Sequence, residues 1–527
     1  MSVLFSSSNN QKIQSKEVAI GNMVIGGNHP VLIQSMTNTK TLDTDATVDQ
    51  IVRLADVGCE MVRITTQNIK EAKNLNEIKN ALIQKGYGLP LIADVHFNPK
   101  VAEVAAQIVE KVRINPGNYV DRNNLKIDFT EKEYRSDLVK IEQKLSPLID
   151  ICKKNNTVIR IGTNHGSLSN QILAKYGNTP EGMVESAIEF VQVCRNLNFE
   201  HLVLSMKASN VRVMIEANKL LVERMTKNGY YYPIHLGVTE AGDSADGRLK
   251  SAAGIGNLLL NGIGDTIRVS LTEIPENEIP VAKQLVELYG KKKDNLLKIN
   301  AEKIIIKNND QLIKSNNLKP PYAISQGFSE IADFSLDQKN ILHGNKGIIE
   351  TETISIMPDS VGEFETGIIK LDYSGLTEEA VQLRAASEFS YLYDLHSSIG
   401  ICVNDESTSP DINTQLALDI LQAMGLRYSK TEFIACPSCG RTNFDIQDHL
   451  KKVKEKTAHL KGIKIAIMGC LVNGPGEMAD ADYGYVGSGT GKVNLFKGSV
   501  LVYTNLNENI AVDTLISIIK EGGDWKD

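Results

Sequence analysis

The feature that most constrains this chain is a rhythm. Through residues 1–290, short β-rich runs alternate with stretches whose apolar residues recur at helical spacing. The runs are Val31–Met36, Met61–Thr65, Pro90–Val95, Lys111–Ile114, Val158–Gly162, Leu202–Met206, Ile234–Val238 and Thr266–Leu271. Helical patterns such as Val48–Val57, Val101–Val109, Met183–Leu197 and Val211–Met225 lie between them. Eight such pairs predict an α/β fold whose first part is a (β/α)8 TIM barrel. A doubly wound open sheet is the rival, but it carries a glycine-rich phosphate turn after its first strand. Here that strand runs into Gln34-Ser-Met-Thr-Asn.

Charged residues fall where a barrel of this kind places its site. Arg63, Arg113, Arg160 and Arg268 each stand between two aliphatic residues, and Lys207 ends the sixth run. Because strand side chains alternate, the aliphatic neighbours face the helices and each cation faces the barrel axis. Asp94, Glu240 and Asp265 are expected at strand ends as partial compensation, and a layer of buried Arg–carboxylate pairs is the bland reading. The cations outnumber those acids, so the pattern favours a cup for a multiply charged anion, most naturally a diphosphate. Asn115, Asn164, His165, Ser205, Ser209, His235, Thr239 and Ser270 are expected to add neutral donors at its rim. His96 and His235 raise a barrel metal site as an alternative, but Arg residues occupy the places where ligands would be wanted.

Residues 291–405 read as an inserted α/β domain serving as a spacer. Lys291–Lys293 and the polar run Asn308–Lys319 look like linker; Gly347–Ile356 and Thr366–Asp372 look like strands; Thr377 to His396 looks like a helix. The remainder, 406–527, holds a sharper signal. A strand enters Cys436-Pro-Ser-Cys439, and a helix follows over Asp445–Leu460. A second strand, Ile463–Met468, ends at Gly469-Cys470, with Glu477 following after six intervening residues. Two neighbouring strand ends can bring three thiolates together, which suits a [4Fe–4S] cluster with one iron left for an oxygen ligand. A structural zinc site and a thioredoxin-like dithiol are the other readings of that spacing. Gly487-Ser-Gly-Thr-Gly-Lys492 imitates a phosphate loop, but Val493 stands where Ser or Thr would hold magnesium, and a hairpin turn is expected.

Composition excludes several classes. A net charge of -7 leaves no excess of Lys and Arg to displace counterions from nucleic acid. No run of apolar residues approaches membrane-spanning length. Seven cysteines in 527 residues are too few for a disulfide framework. Cys59, Cys152, Cys194 and Cys402 stand alone and are expected to be small buried hydrophobes.

Taken in order, Val62-Arg63-Ile64 with Ile92–Phe97, Lys111–Asn118, Arg160–Leu168, Leu204–Ser209, His235–Gly242, Gly262–Leu271, Ala435–Asp445 and Met468–Glu477 resemble the 4-hydroxy-3-methylbut-2-enyl diphosphate synthase family of the non-mevalonate isoprenoid pathway. The likeness spans about residues 12–289 and 414–527, and the long insert together with His165 resembles the three-domain form of plants and some bacteria. It implies reductive ring-opening of 2-C-methyl-D-erythritol 2,4-cyclodiphosphate to the allylic diphosphate, with ferredoxin or flavodoxin as electron donor. Cys436, Cys439, Cys470 and Glu477 would hold the [4Fe–4S] cluster, with Asn473 beside it. Arg63, Arg113, Arg160, Lys207, Arg268 and the rim donors would bind substrate, and Glu240 and Asp94 would transfer protons or position groups. Glu477 would yield its place to the substrate oxygen. A barrel-related insert and a ferredoxin-like C-terminal α+β domain are also implied. The insert would let cup and cluster of one chain meet, where two-domain relatives would join them across a dimer. A bacterial cytoplasm is the expected location, or a plastid if a transit peptide has been removed. A zinc-stabilised barrel enzyme acting on a phosphorylated substrate, and an iron–sulfur sensor, are the competing functions.

Overall fold

The structure, a computed structural model, describes residues 14–120, 131–290, 299–306, 320–344, 347–349, 351–355, 367–396, 398–472, 474–478 and 480–526. Eight parallel strands form a ring: β1 (Leu32–Met36), β2 (Met61–Thr65), β3 (Leu91–Asp94), β4 (Lys111–Ile114), β5 (Val158–Asn164), β6 (Leu202–Lys207), β7 (His235–Leu236) and β8 (Thr266–Ile267). They pair in the order β6-β5-β4-β3-β2-β1-β8-β7, and a parallel bridge from Leu204 to Ile234 joins the two ends. This is the expected barrel, with β7 and β8 reduced to two residues each. Helices between the strands start at polar caps: Asp43 accepts from Ala46 N–H, Asn68 from Glu71 N–H, and Asn210 from the N–H groups of Arg212 and Val213.

Inside the ring the side chains stack in layers. At the amino ends Leu32, Met61, Ile92, Val158 and Val203 pack against a small hairpin, Val18–Ile20 with Met23–Ile25. That hairpin seals the lower mouth with hydrocarbon, and its three-residue strands are too short for alternation to reveal them in sequence. Two residues further along each strand the next inward layer begins, which lifts Arg63 above Met61, Arg113 above Lys111 and Arg160 above Val158. The floor is dry and the upper layer is cationic.

The chain forms two compact units. One holds residues 13–247, 263–283 and 430–527, so the barrel strands and the C-terminal part belong to a single body. The C-terminal part is a five-stranded sheet over Glu432–Ala435, Lys464–Met468, Tyr483–Gly489, Lys492–Lys497 and Val500–Asn507. Helix Ile446–Thr457 returns the chain so that the first two strands are parallel, and Tyr483–Gly489 adds a third in the same direction. Two tight hairpins then give antiparallel neighbours. The strands therefore lie in chain order, unlike the interleaved order of a ferredoxin-like sheet. The imitation phosphate loop is the first of those hairpin turns. Phe433, Leu450, Ile467, Tyr485 and Leu515 share the core beneath helices Ile446–Thr457 and Glu508–Glu521.

The other unit comprises 248–262 and 284–429. Among the described residues its mixed sheet has eight strands, in spatial order Gly347–Ile349, Leu342–Gly344, Phe334–Leu336, Tyr322–Gln326, Ser398–Asp405, Gly367–Tyr373, Ala301–Ile306 and Thr351–Ser355. Helix Glu378–Leu395 lies where a helix was expected, and the expected strand Gly347–Ile356 is broken into two. The linker-like Lys291–Lys293 and Asn308–Lys319 fall outside the described residues. Helix Pro410–Ala423 packs on Tyr322–Gln326 and Ser398–Asp405. Among the described residues no helix is long and apolar enough to cross a membrane.

Candidate functional site: a cationic cup faced by three thiols

The upper layer of the barrel opens into a cavity. Arg63, Arg113, Arg160, Lys207 and Arg268 line it from five strands, together with Asp94, His96, Asn164, Thr239, Glu240 and Ser270. Space for the long cations comes from glycine at two inward positions. A Cβ on Gly162 would lie 2.7 Å from Arg113 Nε, and one on Gly237 would lie 2.8 Å from Lys207 Nζ. Arg113 donates to Asp94 Oδ1 at 3.3 Å and to the Gly162 carbonyl at 3.0 Å, and it also meets the His96 ring. Arg268 forks onto Glu278, with Nε at 3.1 Å and NH2 at 2.9 Å from its two oxygens. Arg160 is different: NH1 donates to Ser205 Oγ at 2.9 Å, while Nε and NH2 have no partner among the described residues.

So many cations in one dry place repel each other. Burial lowers Arg63 to about 10, against the opposing pull of Asp94. Burial, then Arg63 and its neighbours, holds Arg160 and Lys207 well below their ordinary values. Burial and the guanidiniums of Arg113 and Arg441 keep the His96 ring neutral, with a pKa near 3. His235 is also driven down by burial and then by Lys207. Its Nδ1 faces Arg160 NH1 at 3.3 Å and its Nε2 faces Lys207 Nζ at 3.3 Å. An Arg can only donate, so Nδ1 accepts from Arg160. Burial would raise Asp94, but Arg63 and Arg113 outweigh it and keep the carboxylate ionised. Burial raises Glu240, whose Oε2 has no partner among the described residues. An anion entering this cup would relieve the repulsion that depresses the cations.

Opposite the cup the cavity wall is Cys436, Cys439 and Cys470, with Arg441 among them. The two thiol loops leave the parallel strands Glu432–Ala435 and Lys464–Met468 at the same end, as the sequence spacing allowed. Barrel residues seat those loops. Thr272 Oγ1 donates to the carbonyls of Ala435 and Cys436, and Lys40 Nζ donates to those of Gly440 and Thr442. Arg441 NH2 reaches Asp94 Oδ2 at 3.1 Å. Gly166 and Gly476 touch backbone to backbone: a Cβ on either would lie 2.2 Å from the other's carbonyl oxygen. Glu477, carried by that contact, accepts from Asn164 Nδ2 at 2.9 Å and Thr239 Oγ1 at 3.3 Å. Burial, and then Glu240 beside it, raises Glu477 well above the ordinary carboxyl range.

The donor set fits an iron–sulfur cluster. Cys436, Cys439 and Cys470 are the partly exposed cysteines, whereas Cys59, Cys152, Cys194 and Cys402 are buried as expected. The Gly469 N–H donates to Cys436 Sγ at 3.2 Å, the kind of bond that steadies a cluster sulfur. Burial and the adjacent thiols push Cys436 up, so its thiolate form requires a metal beside it. Among the described residues no three His, Cys, Asp or Glu side chains close on one metal ion. Soft thiols spaced along a wall suit a cluster, in which each cysteine binds its own iron.

Several expected residues lie off the cavity wall. Ser205 and His235 stand behind it and hold Arg160 and Lys207. Asn115 is buried as the cap of a short helix, its side chain accepting from Gly117 N–H at 3.3 Å. His165 is half-buried and bonded to the Asn178 carbonyl, and Ser209 is half-buried away from the lining. Asn473 falls outside the described residues. Asp265 precedes β8 rather than ending it; at the far mouth it accepts from Ser15 Oγ and Ile234 N–H. The acid that compensates Arg268 is instead Glu278, buried at the start of the helix after β8. Sequence reasoning also passed over Arg441, visible two residues beyond Cys439, and Lys111, fully buried one layer below Arg113.

Comparison with known proteins gives two matching family models. The GcpE TIM-barrel domain matches residues 15–283, and the GcpE protein C-terminal domain matches residues 432–521. Among similar full-length proteins, one from Phocaeicola vulgatus is 42% identical, covering 98% of this chain and 99% of its own. One from Parabacteroides distasonis is 40% identical over 98% and 99%, and one from Akkermansia muciniphila is 39% identical over 97% of each. All three are named 4-hydroxy-3-methylbut-2-en-1-yl diphosphate synthase (flavodoxin).

Proposed function

The chain belongs to the GcpE family, and on that premise we propose that it catalyses the reductive ring-opening dehydroxylation of 2-C-methyl-D-erythritol 2,4-cyclodiphosphate to 4-hydroxy-3-methylbut-2-enyl diphosphate. It is an oxidoreductase of isoprenoid biosynthesis. The observation that carries this reading is the excess of buried cations converging on a cavity whose opposite wall is three thiols. Cys436, Cys439 and Cys470 would hold a [4Fe–4S] cluster, with Glu477 as the expected oxygen ligand. When bound, the cluster supplies single electrons and a Lewis-acidic iron.

The chain's own residues do the rest. Arg63, Arg113, Arg160 and Lys207 bind and orient the diphosphate, and the arriving charge offsets the repulsion that holds Arg160 and Lys207 down. Arg268, neutralised by Glu278, contributes shape and directed N–H groups more than net charge. Asp94 and Glu240 divide their labour. Asp94 stays ionised and positions Arg113, while Glu240, whose carboxyl burial raises, is the acid for the leaving oxygen. The seated loops exclude water from the cavity. Flavodoxin is the electron donor suggested by the relatives' names, with ferredoxin as the other candidate. Residues 291–405 serve as a structural spacer, and the enzyme works in a bacterial cytoplasm, where its thiols stay reduced.

The test is anaerobic purification with iron, sulfide and zinc analysis and an EPR spectrum of the dithionite-reduced protein. Four irons with matching sulfide, and a signal that changes on adding the cyclodiphosphate, are expected. Stoichiometric zinc with no sulfide and no signal would replace this reading with the zinc-stabilised barrel enzyme.

A further inference from the structure

We infer that Arg441 is a sixth cation of the anion site, delivered by a thiol loop, so that binding the diphosphate and seating that loop on the barrel are one event. The inference rests on the reading above that the cavity takes the cyclodiphosphate. Arg441 lies between Cys439 and Cys470 in sequence, yet its side chain is 7% exposed and lines the cup. NH2 donates to Asp94 Oδ2, and Nε has no partner among the described residues. The other oxygen of Asp94 accepts from Arg113, whose Nε is also unpartnered among those residues. One carboxylate thus bridges a barrel guanidinium and a loop guanidinium, and each keeps a buried donor to spare. A buried guanidinium with unused donors is costly until an acceptor arrives. A phosphate oxygen between the two would satisfy both, because the Arg fork presents parallel donors to such a group.

Lys40 makes the inference separable from simple docking. It is exposed, and its ammonium holds the carbonyls of Gly440 and Thr442, on either side of Arg441. Gly440 itself sits against the Thr39 carbonyl, 2.7 Å from where a Cβ would be. Lys40 therefore seats the backbone from outside the cavity, while Arg441 acts inside it. Loss of Lys40 weakens docking alone; loss of Arg441 removes docking and one charge facing the anion. The two losses differ in their response to salt, because screening acts on the charges that meet the ligand.

The experiment measures cyclodiphosphate dissociation constants by calorimetry at two ionic strengths, on oxidised cluster-bearing protein without reductant, so that nothing turns over. Arg441→Met is expected to weaken binding at least tenfold and to flatten its salt dependence. Arg441→Lys should recover part of the affinity, and Lys40→Met should weaken binding less while keeping the wild-type salt dependence. A dissociation constant for Arg441→Met within twofold of wild type, at unchanged iron content and melting temperature, overturns the inference. Equal losses and equal salt slopes for Arg441→Met and Lys40→Met overturn it too. If Arg441→Met does not fold, Arg441→Lys decides: wild-type affinity overturns the inference and weaker binding supports it. Wild-type protein that fails to bind the cyclodiphosphate at all refutes the proposed function instead.

Discussion

Glu278 offers a clean physical test of how the cup is held together. It is 1% exposed and accepts from Ser35 Oγ at 2.6 Å, from both Arg268 donors, and from the Leu271 N–H at 3.3 Å. In Glu278→Ala, Arg268 becomes a buried cation without its partner, and two further donors lose their acceptor. Breaking a buried pair from one side costs about 3–5 kcal/mol. The unit containing it has roughly 350 residues, and at about 2.1 cal/mol/K per residue its unfolding entropy is about 0.7 kcal/mol/K. The melting temperature should therefore fall by about 4–7 °C, read by circular dichroism under anaerobic conditions. Glu278→Leu combined with Arg268→Met should regain at least half of that loss, because removing both charges leaves no uncompensated ion. A single-variant shift below about 2 °C, or a double variant no better than the single, would refute the claim that this carboxylate holds the cup.

Three other outcomes can be stated. Arg160→Met should weaken cyclodiphosphate binding at least tenfold yet lower the melting temperature by no more than about 1 °C, since it removes a buried cation with unmet donors; a large loss of stability would show that Arg160 is structural. Mixing inactive Arg160→Met protein with inactive Cys470→Ser protein should restore no activity, because cup and thiols here belong to one chain; recovered turnover would mean that the working site forms between chains. His96 is neutral in the fold down to about pH 3 but titrates near 6.5 when unfolded, so below pH 6.5 the unfolded chain takes up a proton that the fold refuses. Its stability contribution is lost as pH falls from 6.5, by about 1.4 kcal/mol per unit. Urea midpoints at pH 7, 6 and 5 should fall less steeply for His96→Gln than for wild type, and parallel slopes would contradict this.

The barrel was legible because alternation and helical spacing are local signals, and the same alternation placed Arg63, Arg113 and Arg160 on the inner face. What the pattern could not show was which end of a strand a residue occupies once the strand shrinks. Asp265 looked like a rim acid, but β8 begins after it. Glu278 was invisible for the opposite reason, since it meets Arg268 only after the chain has turned into the next helix. Arg441 was hidden in plain view inside a motif whose cysteines drew the chemistry. The insert's sheet escaped because strands such as Phe334–Leu336 and Leu342–Gly344 are too short to carry a period, and their pairing is decided by neighbours distant in sequence.

The contact between Gly166 and Gly476 has a use beyond this chain. Each residue spends the other's space, so the two positions form one allowance of volume that any side chain would overdraw. The motifs around them, Asn164–Leu168 and Gly474–Glu477, are easily found in a bare sequence. A chain carrying both motifs with glycine at both positions can adopt the seated arrangement seen here. One with a larger residue at either position must bring its thiols to its barrel by another route, and its amino-acid sequence is enough to sort it into that second group.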